Sequence, residues 1–151
     1  MFHKAIKLEL KEGTSFELTF QNGEVKSYDI AVLYPKYPQL RALEDRSLFL
    51  QGSLMGSSGV VWNDDLDIDA ETVYEDGELV RTEEVPVRQG LGASLAQARA
   101  SRKMTQKDLA DACGIDQSDI SKIERGVANP SVSTLERLAN ALELKLVIKI
   151  Q

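Results

Sequence analysis

Hydrophobic positions change their spacing along the chain, from every second residue near the start to every third or fourth residue further on. Apolar and polar residues alternate over 5–10 and again over 16–20, as is typical of strands with one buried face. The Asn-Gly pair in QNGE predicts a hairpin turn, after which residues 25–29 return as a third strand. The chain is therefore predicted to begin with an antiparallel meander.

The rest of the N-terminal half combines short helical and strand patterns. Leu40, Leu43 and Leu48 predict a short helix, and the run GVVW predicts another strand. A small helix follows the acidic run NDDLDID, with Asp69 as its N-cap. These patterns predict an α+β domain over residues 1–78, built from antiparallel strands with short helices.

Residues 105–126, TQKDLADACGIDQSDISKIERG, contain two short helical patterns joined by a turn. Thr105 stands as the N-cap of the first helix, with Asp108 three residues later as in a capping box. Gly114 can take the positive φ that ends a helix, and Asp116 then caps the second helix. The segment therefore predicts two capped helices around a glycine turn.

The second of these helices has two different faces. Ile120 and Ile123 share a buried face with Ile115, and the other positions form one polar stripe. The stripe consists of Gln117, Ser118, Ser121, Lys122 and Arg125. Gln and Ser can bond base edges, and Lys can reach guanine or phosphate. An ordinary solvated helix also carries such residues, but here the stripe comes with two capped helices and a glycine turn, which favours a helix in a DNA major groove.

Two further helices flank this pair. One is predicted over 91–102, with Leu95 facing inward, and the other begins after the Asn-Pro pair at 129–130, with Ser131 or Ser133 as its cap. Residues 91–144 resemble a helix-turn-helix domain of the Xre type, related to phage repressors and Cro. The matching pieces are TQKDLA, CGI, SDISKIERG and ANPSVSTLERLANALEL. The resemblance implies an all-α, lambda-repressor-like domain that binds double-stranded DNA.

The same resemblance implies roles for individual residues. Gln106 corresponds to a glutamine that holds a DNA phosphate and orients the first recognition side chain. Gln117 and Ser118 fall on the first recognition positions, Lys122 on a later base-reading position, and Ser121 on a serine that contacts the DNA backbone. The remaining predicted DNA contacts are Thr105, Lys107, Arg102, Lys103 and Arg125, with Arg99 as another phosphate contact.

Asp119 departs from the family pattern, because it puts a carboxylate in the first turn of the predicted recognition helix. Three interpretations remain open from the sequence. The carboxylate stabilises the positive end of the helix dipole, or it accepts a hydrogen bond from a cytosine amine. If it faces a phosphate, it weakens binding.

Period two returns in the last residues, LELKLVIKI. The pattern predicts a C-terminal strand, which needs a partner for its open edges. That partner is either the N-terminal region or the same strand of a second copy. We favour the second copy, since two-fold pairing would give the homodimer that paired DNA half-sites require. Some antitoxin-type members of the Xre family end in a similar strand.

Charge is divided unevenly between the two halves. The chain has a net charge of -6. Residues 1–89 hold 9 Lys and Arg against 17 Asp and Glu, a net of -8, whereas residues 90–151 hold 9 against 7, a net of +2. The acidic surplus thus lies outside the predicted DNA-binding domain. Residues 79–89, without a helical stripe, are predicted to be a linker between domains 1–78 and 90–151.

The sequence carries little chemistry beyond DNA binding. Asp65, Asp67 and Asp69 resemble the start of a calcium loop, but Ala70 stands where glycine is needed, so we expect no metal. Cys113 lies on an inward helical face as a packed thiol. With no nucleophile-base set or phosphate loop, the chain is predicted not to be an enzyme and to need no cofactor. A single cysteine and the lack of a signal peptide or membrane span predict a cytoplasmic protein.

The N-terminal half resembles a small bacterial domain family of unknown function. The resemblance rests on FQNGEVKSYD and VVWNDDLDIDAETVYEDG and covers residues 3–77. The family includes proteins fused to Xre-type domains, and some members lie beside short toxin-like proteins. We therefore predict a sequence-specific, dimeric transcriptional regulator that acts as a repressor. The alternative is an antitoxin that sequesters a toxin partner, with its acidic half mimicking nucleic acid, and that represses its own promoter.

Overall fold

The computed structural model of the protein describes residues 2–150, which form two compact units, residues 2–84 and residues 85–150. The first unit contains antiparallel strands and short helices, and the second is helical. The predicted combination of an α+β domain and a helix-turn-helix domain is therefore confirmed. No helix in the described part of the chain is long and apolar enough to cross a membrane.

Two antiparallel sheets make up the first unit. The strands are β1 (Ala5–Leu10), β2 (Ser15–Phe20), β3 (Glu24–Asp29), β4 (Ser53–Leu54), β5 (Gly59–Asn63), β6 (Leu66–Asp69) and β7 (Glu78–Thr82). One sheet has the order β1-β2-β3-β7, and the other has the order β4-β5-β6. The meander predicted from alternation is therefore present as β1 to β3.

The turn between β2 and β3 contains the predicted Asn-Gly pair. Gly23 has a φ of 92°, and a Cβ on it would lie only 2.5 Å from the carbonyl oxygen of Glu83. The backbone N–H of Glu83 donates to the carbonyl of Gly23 at 2.8 Å. Both the left-handed backbone and the close approach therefore require glycine at this turn.

The short helix predicted from Leu40, Leu43 and Leu48 is divided into two pieces. Pro38–Glu44 is a 3-10 helix, and α1 (Arg46–Phe49) follows it. Asp45 separates them because its extended backbone ends the first, while its side chain accepts from the N–H of Ser47 at 3.0 Å and caps the second. The helix α2 (Ala70–Asp76) begins after Asp69, which caps it as predicted.

Aromatic and aliphatic side chains fill the core of this unit. Trp62 donates from its indole nitrogen to the carbonyl of Phe49 at 2.9 Å, which satisfies the one polar group of a buried side chain. The buried residues are Ala5, Phe16, Leu18, Phe20, Tyr28, Ile30, Tyr34, Leu40, Leu43, Phe49, Val60, Trp62, Leu66, Ile68, Ala70 and Val73. They include Phe16, Leu18 and Phe20, the apolar residues of the alternation over 16–20.

The segment predicted to be a linker over 79–89 has regular structure. Residues 78–82 form β7, which pairs with β3, and the next helix starts at Val87. The boundary between the units falls at 84/85. The prediction of a linker and of a domain ending at residue 78 is thus wrong in extent, because β3 supplies the hydrogen-bond partner that β7 needs.

Four helices make up the second unit. They are α3 (Val87–Ser101), α4 (Gln106–Cys113), α5 (Gln117–Glu124) and α6 (Val132–Ala141). Leu95, Leu109, Ile120, Ile123, Leu135, Leu138 and Leu142 form its buried core. α3 begins four residues earlier than predicted, and Ser131 caps α6 by accepting from the N–H of Thr134 at 3.1 Å.

The C-terminal strand predicted over 144–150 is not formed within this chain. Glu143 ends α6 with a φ of 56°, and the following residues up to 150 belong to neither a helix nor a strand. An extended segment is a strand only when another strand supplies its ladder of hydrogen bonds. Among residues 2–150, no strand pairs with this segment.

Candidate nucleic-acid interface

The helix α5 presents the predicted polar stripe to solvent. Gln117, Ser118, Lys122 and Arg125 are exposed and Ser121 is half-buried. Ile120 and Ile123 on the opposite side are 1% and 4% exposed. The helix is therefore held by its apolar back, which leaves its polar front open to a ligand.

The turn between α4 and α5 sets the direction of α5 relative to α4. Gly114 has a φ of 71° and ends α4 in the left-handed conformation. Arg137 of α6 donates to the carbonyl of Cys113 at 2.7 Å and to that of Gly114 at 3.2 Å. The guanidinium thus satisfies carbonyls that the helix end leaves without intrahelical partners. Asp116 occupies the N-cap position of α5, but its side chain does not make the capping hydrogen bond that the sequence predicts.

The start of α4 carries the predicted capping box. Thr105 Oγ1 accepts from the N–H of Asp108 at 3.0 Å, and the Asp108 carboxylate accepts from the N–H of Thr105 at 2.9 Å. These hydrogen bonds hold the pKa of Asp108 below its usual range. Because its folded pKa is lowered, its contribution to stability is present near neutral pH and is lost as the pH falls through that pKa. The N–H groups of the first turn can also bind an anion.

A buried carboxylate joins three helices behind the polar stripe. Glu124, the last residue of α5, is 2% exposed. It accepts from Arg99 of α3 at 2.6 and 3.0 Å, and from the side-chain amide of Gln106 at 2.9 Å. Arg99 also donates to the carbonyl of Met104 at 2.8 Å. The network therefore orients Gln106, at the first position of α4, relative to α5.

This network corrects one prediction and adds a residue that sequence reasoning missed. Arg99 was predicted to contact phosphate, but it is bound to Glu124 inside the unit. Glu124 was not predicted to have any role. Its spacing gives a signal, since it lies four residues after Ile120, just as Arg99 lies four residues after Leu95. Both charges therefore sit on the inward faces of their helices.

The remaining predicted phosphate contacts lie on the surface. Arg102, Lys103 and Lys107 are exposed. Lys107 lies 3.7 Å from Asp111, and both side chains are more than 70% exposed. Such an exposed pair contributes little to stability, so Lys107 can exchange this partner for a phosphate. Arg125 donates to the carbonyl of Ser121 at 3.3 Å.

Asp119 and Gln117 line different clefts of the helix-turn-helix unit. Asp119 lines a cleft beside the start of α6, together with Asp116, Ser131 and Arg137. Gln117 instead lines the groove against α4. Asp119 lies in the first turn of α5, where a carboxylate stabilises the positive end of the helix dipole.

Lys103 provides a test of the predicted phosphate contacts, because its backbone φ is 55°. This left-handed conformation costs an ordinary residue roughly 1 kcal/mol relative to glycine. We expect Lys103→Gly to stabilise the unit by about that amount relative to Lys103→Ala. Both changes should weaken binding to all DNA sequences equally and lower the salt slope by about one.

The two effects can be measured separately by urea unfolding and by DNA titration at several salt concentrations. Lys103→Arg is the matched control, since it keeps the cation and should preserve the salt slope. An unchanged slope in the alanine and glycine variants would exclude Lys103 from the DNA contacts.

Comparison with known protein families assigns both parts of the chain. The helix-turn-helix family HTH_3 matches residues 95–148. An uncharacterised HTH-type transcriptional regulator of Sinorhizobium fredii, y4dJ, is 38% identical over 56 residues, which are 73% of its length. The chain belongs to the HTH_3 helix-turn-helix family. Residues 5–78 match the family of proteins of unknown function DUF2442. The predicted resemblances of both halves are thereby confirmed.

Two further relatives match the HTH_3 domain. A second uncharacterised HTH-type regulator of Sinorhizobium fredii, y4dL, is 43% identical over 54 residues, which are 36% of this chain and 28% of that protein. The immunity repressor protein of Bacillus phage phi105 is 39% identical over 56 residues, which are 37% of this chain and 39% of that protein. The match thus spans less than half of either relative. The match with y4dJ covers 37% of this chain.

Proposed function

We propose that this HTH_3 protein is a sequence-specific DNA-binding transcriptional regulator, which acts as a dimeric repressor. The observation that carries the proposal is the exposed polar stripe of α5, fixed from behind by the buried Ile120 and Ile123. A helix held in this way can enter a major groove and place several hydrogen-bonding side chains against base edges. Acting on DNA, the protein would work in the cytoplasm.

Individual residues divide into base-reading and backbone-contacting groups. Gln117 and Ser118 read the first bases, and Lys122 reads a later base or contacts a phosphate. Ser121 contacts the DNA backbone, and Gln106 presents its oriented amide to a phosphate. The other backbone contacts in the proposal are Thr105, Lys107, Arg102, Lys103 and Arg125.

The charge of each unit supports the assignment of the DNA contacts to the helix-turn-helix unit. With the boundary at 84/85, residues 1–84 hold 8 Lys and Arg against 17 Asp and Glu, a net of -9, and residues 85–151 hold 10 against 7, a net of +3. Phosphate binding depends on the cations near the contact rather than on the total charge. The helix-turn-helix unit, with its net positive charge and exposed cations, therefore supports phosphate binding.

Repression and dimerisation rest on two further arguments. The phage phi105 relative is named an immunity repressor protein, and a repressor needs only to occupy its operator. Operators for helix-turn-helix proteins consist of two half-sites, which two identical units can occupy together. The exposed apolar side chains of residues 144–150 offer a surface for that association.

Removing the residues after Leu144 is expected to convert the dimer into a monomer. The deletion takes away the exposed Val147, Ile148 and Ile150 but keeps the helices that would contact DNA. Operator binding should then weaken, because a monomer occupies one half-site at a time and loses the gain in affinity that a dimer has from binding both. Light scattering measures the mass, and DNA titration measures the affinity. A dimer of unchanged mass would place the interface elsewhere.

The proposal is tested by selecting bound sequences from a random DNA pool with the full-length protein. A palindromic consensus is expected. The logarithm of the binding constant should fall linearly with the logarithm of the salt concentration, with a slope that corresponds to several released counterions. Enrichment of a single half-site would retain sequence-specific reading but argue against the dimer. The absence of any enriched sequence would argue against a reader of DNA sequence.

The strongly acidic DUF2442 unit favours one second candidate, an antitoxin that binds a basic toxin-like protein and represses its own promoter. A net charge of -9 on residues 1–84 would attract a basic partner and mimic the nucleic acid which that partner binds. Purification together with a small basic protein encoded next to this gene would support this candidate. A neighbouring protein that neither binds nor is neutralised would argue against it.

A further inference from the structure

The two ends of α5 are held by side chains of different helices. At its C-terminal end, the buried Glu124 is bound by Arg99 of α3 and by Gln106 of α4. At its N-terminal end, Asp116 occupies the N-cap position without a side-chain capping hydrogen bond. Arg137 of α6 reaches this end indirectly, because it binds carbonyls of the turn that precedes α5.

A single nitrogen of Arg137 holds both of these carbonyls. Its Nη2 donates to the carbonyl of Cys113 at 2.7 Å and to that of Gly114 at 3.2 Å. A Cβ on Gly114 would lie 3.0 Å from this nitrogen, so the glycine leaves room for the guanidinium. Carbonyls at a helix C-terminus carry partial negative charge, which a cation complements. Arg137 therefore ties the end of α4 to α6, just before α5 begins.

We propose that Arg137 is a positioning residue for DNA reading, which fixes the start of α5 and with it Gln117 and Ser118. This inference rests on the DNA-binding function proposed above and adds a residue that acts without touching a base. Gln117 follows Gly114 by three residues, and both recognition side chains are exposed. Hydrogen bonds weaken steeply when their geometry is disturbed, so a small shift of this turn would impair their contacts with base edges.

Replacing Arg137 by alanine should therefore weaken binding to the selected DNA sequence by about fivefold, because the charged donor of two hydrogen bonds is lost. Sequences that are mismatched at the base read by Gln117 should lose less, since they have no such contact to lose. The choice of base at that position should relax, while the rest of the selected consensus stays the same. Random-pool selection and titration of matched and mismatched sites measure these effects.

A double-mutant cycle tests the link between Arg137 and Gln117. With Arg137→Ala the base contact of Gln117 is already impaired, so Gln117→Ala has less to remove. The affinity loss of the double variant should fall short of the product of the two single losses by at least about threefold. The matched cycle of Arg137→Ala with Arg102→Ala should give that product within about twofold, because Arg102 lies at the end of α3.

Two further variants separate positioning from stability. Arg137→Lys should recover most of the affinity and base choice, since an ammonium can also donate to two carbonyls. Glu136→Gly lowers helix propensity in the middle of α6 and keeps Arg137. It should reduce the midpoint of urea unfolding and leave DNA affinity and base choice unchanged. If it changes DNA binding as Arg137→Ala does, general stability explains the effect and the proposal is overturned.

A direct phosphate contact gives a different pattern, because Arg137 is itself an exposed cation. In that case Arg137→Ala would weaken binding to all sequences alike and lower the salt slope by about one. Its loss would also multiply with that of Gln117→Ala. This combination would overturn the positioning role.

Amide hydrogen exchange tests the same role without DNA. The N–H groups of Asp119 and Ile120 donate to the carbonyl of Asp116 at 3.0 and 3.1 Å, at the start of α5, and that of Arg125 donates to Ser121 at 3.0 Å, at its end. Arg137→Ala should speed exchange at Asp119 and Ile120 more than at Arg125, whereas Glu136→Gly should speed all three alike. Equal acceleration at both ends in Arg137→Ala would reject the positioning role.

These outcomes are distinct from those of the proposed function. A wild type that selects no DNA sequence would reject the regulator, and exchange would still report whether Arg137 holds the start of α5. A clear consensus with multiplicative losses in the cycle of Arg137 with Gln117 would retain the regulator and reject this inference.

Discussion

Replacing Glu124 by alanine is expected to destabilise the helix-turn-helix unit by about 3 kcal/mol. The carboxylate is buried, and it accepts from Arg99 at 2.6 and 3.0 Å. Its removal leaves the guanidinium of Arg99 without its charge partner. We expect the lower end of the range for a broken buried pair, because Arg99 keeps 18% of its side chain exposed and can reach water. Urea unfolding of the full chain, followed by helical circular dichroism, measures the loss.

Two further variants separate the ion pair from general effects of truncation. Glu136→Ala, on the exposed side of α6, should change stability by less than about 0.5 kcal/mol. The double change Arg99→Met with Glu124→Leu should recover much of the loss, because an apolar pair of similar volume avoids burying charge. It also takes away the acceptor of Gln106, so DNA affinity should stay reduced. A loss below about 1 kcal/mol for Glu124→Ala would contradict this account of the network.

The elements with regular spacing could be predicted from the sequence. The strands β1 to β3 follow from alternation, and the helices α4 and α5 follow from caps and inward apolar positions. Local residues decide such elements, as Thr105 with Asp108 and Gly114 do here. The same local rules placed Gln117 and Lys122 on the exposed side of α5, where the structure has them.

Pairing between distant segments could not be predicted in the same way. In β7 the apolar residues Leu79 and Val80 are adjacent rather than alternating, and all five residues of the strand are exposed, so no hydrophobic alternation indicates a strand here. The strand exists because β3 offers its backbone edge, and that edge lies about fifty residues earlier in the sequence. The residues after Leu144 show the converse, since a strong alternating pattern forms no strand without a partner.

The buried network was missed for another reason. Charged residues are rarely buried unless they are paired, so Arg99 was expected to contact phosphate and Glu124 was given no role. Their pairing depends on the packing of α3 against α5, across 25 residues of sequence. Helical spacing alone puts both on inward faces, and taking the two inward charges together would have predicted the pair.

Replacing Gln117 by alanine is expected to weaken binding to the selected DNA sequence by about 1–3 kcal/mol and to relax the choice of base at one position. Gln117 is the first residue of α5, and its side chain is exposed next to the groove between α4 and α5. A glutamine amide can both donate to and accept from an adenine edge, whereas alanine can do neither. Random-pool selection with the variant, followed by titration of matched and mismatched sites, measures both effects.

Lys107→Ala is the matched control for this reading of bases. Lys107 is exposed at the start of α4 and, in the proposed role, contacts phosphate alone. Its loss should weaken binding to every sequence alike and lower the salt slope by about one, with the selected consensus unchanged. For Gln117→Ala we expect the reverse: the selected consensus sequence changes, and the dependence of affinity on salt concentration does not. If both variants lose affinity equally on all sequences, Gln117 contacts the DNA backbone, and α5 reads bases through other residues of its polar stripe.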